Sequence, residues 1–520
     1  MRRVCRLLIC LALVVAAGPP AGAAAAAAPD AIAIAARAPE AAEYAGVAAD
    51  AQQYAPDEWR VRWPRSGSAR LEVDVDTRQR RVLATWTGDD VDYPMARGYP
   101  GFFGGKVNAL WVWLPLCVLF VAPFVDPRRP LRVLHFDLLA ILSLSVSLAF
   151  FNHGTTAVSV PLVYPPLVYL LVRAMPALRG RGLSPQGRLV PYASRRLLVA
   201  GLIAVLFLRA ALNVLDVGDR SYVGYGTVGS HVVDVGLAGV AGADRIEHGQ
   251  QLFTRGGGHL DTYGPLNYLA YVPFELVWPY RGDWDELPAA HVAALVFDLA
   301  TVFLLLLIGR RMRPAREGSE LGLALAYGWA ACPWTAYVLM ADTDDALVAA
   351  FVASALAAWS WPLLRGAMIG AGSAVKFAPA VLLPAGLAGG RRAALLALGG
   401  CAAVVLATTV PLIPDGGLRE LYDATLGYQL GTSSPFSIWG RWAGFDVVQH
   451  VAQAAAVALT LVAAWMVWRR PGDPRLVAAA IAVALLAAQL TAIHWIYFYF
   501  VWALPPLLAA LFAAFVDSPE

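Results

Sequence analysis

An all-α polytopic membrane protein, with a small extracytoplasmic α+β module at its N-terminus, is the fold class this sequence predicts. Three observations carry the prediction. Of the 520 residues 59% are hydrophobic and 15% charged, which lies outside the range of soluble domains. Many apolar runs approach the roughly 20 residues that a spanning helix needs. The basic residues gather in clusters between those runs, and they are nearly all arginine, with Lys106 and Lys376 the only lysines. A net charge of +3 is too small to suggest a nucleic-acid partner. The cysteines Cys5, Cys10, Cys117, Cys332 and Cys401 are scattered without metal-ligand spacing, so packing is expected of them rather than a disulfide frame or a zinc site.

Residues 1–28 open with Met-Arg-Arg, continue apolar from Leu7 to Ala17 and end in small residues, the pattern of a secretory signal or an uncleaved first helix. Either places residues 29–105 outside the cytoplasm. Within them Arg70–Asp76 alternates like a strand, and Arg81–Trp86 can pair with it across a turn at Thr77–Arg80. The pattern resembles, over a short stretch, a PepSY-type module; a plain structural appendage is the competing reading.

Hydropathy and the arginine bias place the remaining segments. Residues 107–125 run inward to Asp126–Arg132, 134–151 outward, 156–174 back to a basic loop from Arg179 to Arg196, and 197–215 outward. A polar loop, 216–288, follows on the outer side. Residues 289–309 return to Arg310–Arg313, so three basic clusters agree on one side. Next, 319–340 go out and 344–362 come back to Arg365. One apolar stretch then separates Arg365 from Arg391-Arg392, and a single crossing would put those arginines outside. A hairpin of two half-length helices turning near Lys376-Phe377-Ala378-Pro379 removes the conflict; arms of ~12 residues reach about 18 Å. Proline disfavours helix in the residue before it, which suits a turn. Residues 393–413 lead to a second outer loop, 414–447; then 448–468, 475–493 and 496–515 complete about 13 spanning or half-spanning helices. The N-terminal membrane helices thus occupy 106–196 and a larger helical domain 197–520.

The two outer loops hold the polar residues that an apolar frame would exist to position. In the first, Asp261-Thr262-Tyr263-Gly264-Pro265-Leu266 leads into an aromatic run, 265–279, whose parity and tyrosines suit a helix lying along the membrane face. An outward helix, an acidic loop and a Tyr-x-Pro-Leu-like run resemble the GT-C membrane glycosyltransferases, although Gly264 stands where proline is frequent in that superfamily. The resemblance is closer to the actinobacterial polyprenyl-phosphate-dependent branch, including glycosyltransferase family 87. There an acidic residue precedes a Gly-Ala-x-x-Ile-x-x-Gly stretch, which reads here from Asp234 through Gly242-Ala243-Asp244-Arg245-Ile246 to Gly249. The resemblance spans roughly 197–515.

It implies transfer of one sugar, with mannose as the expected one, from a polyprenyl-phosphate donor to an extracytoplasmic glycan, glycolipid or protein, by an inverting mechanism at the plasma membrane. Such a reaction needs a carboxylate to take the acceptor's proton and donors to stabilise the departing phosphate. The superfamily's base lies early in the first outer loop, which points to Asp234, with Asp219 and Asp244 in reserve; a solvated carboxylate or helix cap is the competing reading for each. Arg245, Lys376, Arg441, Tyr263, His494, Asp345 and Gln429 are the candidates for holding donor phosphate or sugar. A lysine inside apolar sequence is costly and marks function by default, though Lys376 could also snorkel to the headgroups. Relatives carry a Gly-rich, Lys, Pro pattern like Gly370–Pro379, and Asn-Asp where this chain has Asp344-Asp345. Those aspartates, with Asp342, could instead cap the helix starting near Ala346. No cofactor is implied, while a divalent cation at Asp342, Asp344 and Asp345 stays open. Arg441, beside two tryptophans in the Ser433–Arg441 stretch, could clamp a phosphate or belong to an aromatic belt.

A membrane transporter or flippase of lipid-linked precursors is the rival from another class. Transporters place charges and broken helices at the midplane between related halves. Here polar residues gather at one face and no internal repeat is visible.

Overall fold

A computed structural model describes residues 21–65, 68–98, 104–179, 187–216, 221–222, 228–229, 232–254, 258–282, 287–431, 434–442 and 444–515. The chain divides into two compact units, residues 1–97 with 222–228, and residues 98–221 with 229–520.

The first unit is a four-stranded antiparallel meander, β1 (Asp50–Ala55), β2 (Glu58–Arg65), β3 (Ser68–Asp76) and β4 (Arg81–Thr87). The expected hairpin is β3 and β4, with Val73 opposite Thr85. Two further strands precede it, and Val61 of β2 faces Val73. Period-2 alternation gives β3 two characters. Leu71, Val73 and Val75 join Trp59, Val61 and Trp63 beneath Ala31, Ile34 and Ala35 of the helix Ala21–Ala35. Glu72 and Asp74 point the other way into a buried charged layer. There Arg60 Nε lies 2.9 Å from Glu72 and 3.0 Å from Asp74, and Arg97 Nη1 lies 2.9 Å from Glu72. Burial alone would raise the Glu72 carboxyl, but Arg97, Arg60 and Arg62 outweigh it and hold Glu72 below the usual range. Of the presumed signal segment, residues 1–20 lie outside the described residues.

The second unit is helical. Among the described residues seven helices are long and apolar enough to cross a membrane: Val133–Phe151, Thr156–Leu178, Arg195–Asn213, Pro288–Met312, Arg391–Leu412, Asp446–Arg469 and Pro474–Thr491. Each coincides with an expected crossing. The expected crossing 319–340 is not one straight helix. It breaks into Ala315–Ala330 and Pro333–Met340, bent by 56°, because Pro333 cannot continue the hydrogen-bond ladder. A buried cation secures the break. Arg209 Nη1 donates to Ala330 O at 2.7 Å and Thr335 Oγ1 at 3.1 Å, while Nη2 reaches Thr335 O at 2.9 Å and Asp298 Oδ1 at 2.8 Å. Trp329 Nε1 completes the shell of Asp298 at 2.8 Å.

Three shorter apolar helices remain: Leu110–Phe124, Asp345–Ala357 and Tyr497–Phe512. At 13 residues Asp345–Ala357 reaches about 20 Å, short of the ~30 Å hydrocarbon core. The hairpin expected between Arg365 and Arg391 takes the form of one helix, Pro362–Val375, a break at Lys376, and short turns Ala378–Leu382 and Leu383–Gly386. Arg365 is not a loop residue but buried; Nε reaches Gly386 O and Nη1 Trp359 O, each at 2.8 Å, tying the ends of the hairpin together.

The basic clusters converge at one end of this unit. Arg132 bonds the carbonyl of Arg188 and stacks 4.4 Å from the Phe515 ring, and Arg313 bonds the carbonyls of Ala513 and Phe515. At the other end of the helix Arg195–Asp216, Asn213 Nδ2 donates 3.2 Å to Asp342 Oδ1, where the polar loops meet.

Candidate active site

The site is built on the loop Ala341–Asp345, between the bent pair and the short helix Asp345–Ala357. Asp342 sits at φ 51°, and Asp342 to Asp345 are all buried. Helix capping falls to Thr343, whose Oγ1 accepts from the Asp345 amide at 3.1 Å; the Asp344 side chain, at the N-cap position, makes no cap bond. The capping reading for the aspartates is therefore corrected. The carboxylates of Asp344 and Asp345 instead face the break after Pro362–Val375. Lys376 Nζ lies 2.6 Å from Asp344 Oδ1 and 2.8 Å from Asp345 Oδ1. Trp502 Nε1 donates to the same Asp345 oxygen at 2.7 Å, and Nζ stands 5.1 Å from the Tyr499 ring and 5.5 Å from that of Trp502. With 11% of its side chain exposed, Lys376 does not snorkel to headgroups; it is held by ion pairs and aromatic faces.

Asp234 opens the helix Asp234–Glu247, where a carboxylate complements the N-terminal dipole. Its Oδ1 accepts from Val235 N at 2.9 Å. The preceding amide, Val233 N, donates 2.9 Å to Ala341 O, and a Cβ on Gly236 would lie 2.5 Å from Asp342 O. The helix start is thus bolted to the aspartate loop. Gly239 and Gly242 admit Tyr271 and Tyr268 against the same helix. Those tyrosines belong to the helix Pro265–Glu275, the aromatic run expected to form a short helix. Just before it, Gly264 N donates 3.1 Å to Val375 O, and a Cβ there would meet Ala374 O at 2.1 Å. Asp234, Tyr263 and Lys376 are in this way brought together from distant parts of the chain. Burial raises the Tyr263 hydroxyl well above its usual pKa, and the Asp234 carboxylate adds to the rise.

A cavity of about 360 Å³ opens on this assembly. Tyr263, Lys376, Gln429, His494, Tyr499 and Trp502 line it with Leu426, Leu430, Leu485 and Ile493. Gln429 Nε2 donates 3.4 Å to Thr262 O. The His494 ring lies 5.8 Å from that of Tyr499, tilted by 60°; burial, helped by the nearby Lys376 charge, lowers its pKa to about 4, so its imidazole is neutral at neutral pH.

Other expected site residues are placed elsewhere. Arg245 lies eleven residues along the helix from Asp234, about 16 Å, paired with Asp261 and bonded to Gln251 O. Asp244 lies 3.2 Å from His248. Arg441 bonds Thr156 Oγ1, stands 5.7 Å from the Trp442 ring and is not among the residues lining the cavity. Asp219 lies outside the described residues. The reading of the sequence missed His291, whose Nδ1 lies 2.7 Å from Asp342 Oδ2, and Gln453 and Gln489, which line the cavity. His291 stood in an apolar run, the same signal that singled out Lys376. Among the described residues no set of three or more His, Cys, Asp or Glu side chains is arranged to hold a metal ion.

Residues 262–493 match the family model of glycosyltransferase family 87. That stretch includes Tyr263, Asp345, Lys376, Gln429 and Arg441; Asp234 precedes it and His494 follows it by one residue. No curated protein matches the chain. The family match bears out the resemblance drawn from the motifs and marks a membrane glycosyltransferase.

Proposed function

From the premise of a membrane glycosyltransferase similar to family 87, we propose that the chain moves a single sugar from a polyprenyl-phosphate donor to an extracytoplasmic acceptor at the plasma membrane. The observation that carries this reading is that Tyr263 and Lys376 line one largely apolar cavity, with Asp344 and Asp345 paired to Lys376 behind its wall and the Asp234 carboxylate close enough to act on the Tyr263 hydroxyl. In the proposed step the acceptor hydroxyl oxygen attacks the anomeric carbon. Asp234 accepts its proton, and the bond from that carbon to the phosphate oxygen breaks, its electrons leaving with polyprenyl phosphate. Inversion follows from a single displacement.

Lys376 is the cation on the cavity wall, but two carboxylates already share its charge. Its part is therefore to fix the donor phosphate beside Tyr263 rather than to neutralise it alone. The uncharged Gln429 and His494 suit sugar hydroxyls, and Leu426, Leu430 and Ile493 suit the prenyl chain. Mannose is the sugar proposed, on the family resemblance.

Membranes containing the Asp234→Asn protein, incubated with polyprenyl-phosphate mannose, should lose transfer by about 10²-fold or more at normal expression. Mass spectrometry of the product reads both the loss and the sugar. Full activity in that variant removes Asp234 from the mechanism.

A further inference from the structure

The basic end of the helical unit carries two adjoining clefts that glycosyl transfer does not use. The first, about 390 Å³, is lined by residues 188–195 with Leu198, Arg316, Glu320, Leu323 and Ala324. Arg188, Arg195 and Arg316 bring three positive charges to it, against Glu320, which lies 2.7 Å from Arg316. Beside the cleft Arg128 stands 6.0 Å over the ring of Tyr192, whose hydroxyl bonds Asp126 at 2.9 Å, so these two flank it with opposite charges. The second cleft, about 340 Å³, is apolar: Ala122, Pro123, Leu197, Gly201 and Tyr327 line it, and it shares Tyr192, Ala193 and Leu198 with the first. A basic cleft therefore runs into an apolar groove along the first turns of the helix Arg195–Asp216. That helix is a candidate membrane span, and Leu197 on it is 62% exposed. Arg195 lies about 27 Å along the helix from Asn213, which touches the candidate active site.

A soluble anion would use the basic cleft and leave the groove empty; a neutral lipid would use the groove and bring no negative charge to a cleft whose lining arginines outnumber its one glutamate. One ligand satisfies both, a diacyl lipid with an anionic headgroup, because a span places the groove in hydrocarbon and the arginines at headgroup depth. We propose that this double cleft binds one anionic phospholipid, its phosphate among Arg188, Arg195 and Arg316 and an acyl chain against Leu198, Gly201 and Tyr327.

The test uses the full-length protein in detergent, titrated with phosphatidylglycerol, phosphatidylcholine and inorganic phosphate, and read by native mass spectrometry and thermal shift. Phosphatidylglycerol should stay bound and raise the melting temperature, with phosphatidylcholine and inorganic phosphate doing neither. Each arginine should contribute about five-fold in affinity, so R195Q/R316Q should weaken phosphatidylglycerol binding by roughly 25-fold. The lipid-free melting temperature should stay unchanged, since both side chains are exposed. Glu320→Gln should tighten binding. Equal binding of phosphatidylcholine, equal stabilisation by inorganic phosphate, or unchanged phosphatidylglycerol affinity in R195Q/R316Q overturns the proposal. Raised salt provides a second reading: it should weaken the wild type more than the double variant, which keeps only Arg188 of the three.

Discussion

Gly264 shows how a departure from a family pattern follows from a neighbour distant in sequence. Proline is frequent at this position in the superfamily, and the backbone here, at φ −69°, would accept it. What excludes it is the amide bond to Val375 O and the Ala374 carbonyl lying where a Cβ would go. Gly264→Ala should therefore destabilise by about 1–3 kcal/mol, and Gly264→Pro by more, with a lowered melting temperature and reduced transfer in both. His494 makes a second residue-scale prediction. Its folded pKa of about 4 lies below the usual value near 6.5, so between those values the unfolded chain binds the proton more readily. The stability that His494 contributes is then complete above about pH 6.5 and is lost as pH falls toward 4. Thermal shift should show that decline in the wild type and a shallower one in His494→Gln; parallel curves would refute it. At this scale the sequence singles out Lys376, because a lysine in an apolar run is conspicuous. It does not reveal that Asp344 and Asp345 are its partners, since the pairing joins residues some thirty positions apart and the local pattern imitates a helix cap.

Among elements, hydropathy locates the long crossings to within a few residues, because apolar run length is the property that a bilayer selects. It does not locate the bend at Pro333 or foresee Arg209, which closes it. A run counted as one crossing, 319–340, contains a break at which the Ala330 carbonyl is satisfied by a side chain from another helix. Removing that side chain leaves Asp298 buried without its cation. Arg209→Leu should cost about 3–5 kcal/mol, measured as earlier unfolding in denaturing detergent. R209L/D298L should recover part of the loss, since paired apolar replacement removes the stranded charge. If the single and double variants unfold alike, the ion pair is not what secures the break. In β2, Glu58–Arg65 alternates tryptophan and valine with arginine in a strand period, but that Arg60 is buried follows only from Glu72 and Asp74 on the neighbouring strand.

For the whole molecule, the structure gathers at one end of the helical unit arginines from all three of the basic clusters on which the expected orientation rests. The proposed donor is accessible only if the other end faces outward. With native cysteines replaced, Gln250→Cys should react with an impermeant maleimide in intact cells and Arg391→Cys only after lysis; the reverse result would exclude the proposed chemistry. The buried Arg209–Asp298 pair also constrains how the chain enters the bilayer during synthesis. An arginine placed deep in a span resists partition into lipid by about 2.5–3.5 kcal/mol, and its counter-charge emerges from the ribosome some ninety residues later. The segment 195–216 should therefore linger at the translocon until the span bearing Asp298 arrives, so that the two are released into the membrane together.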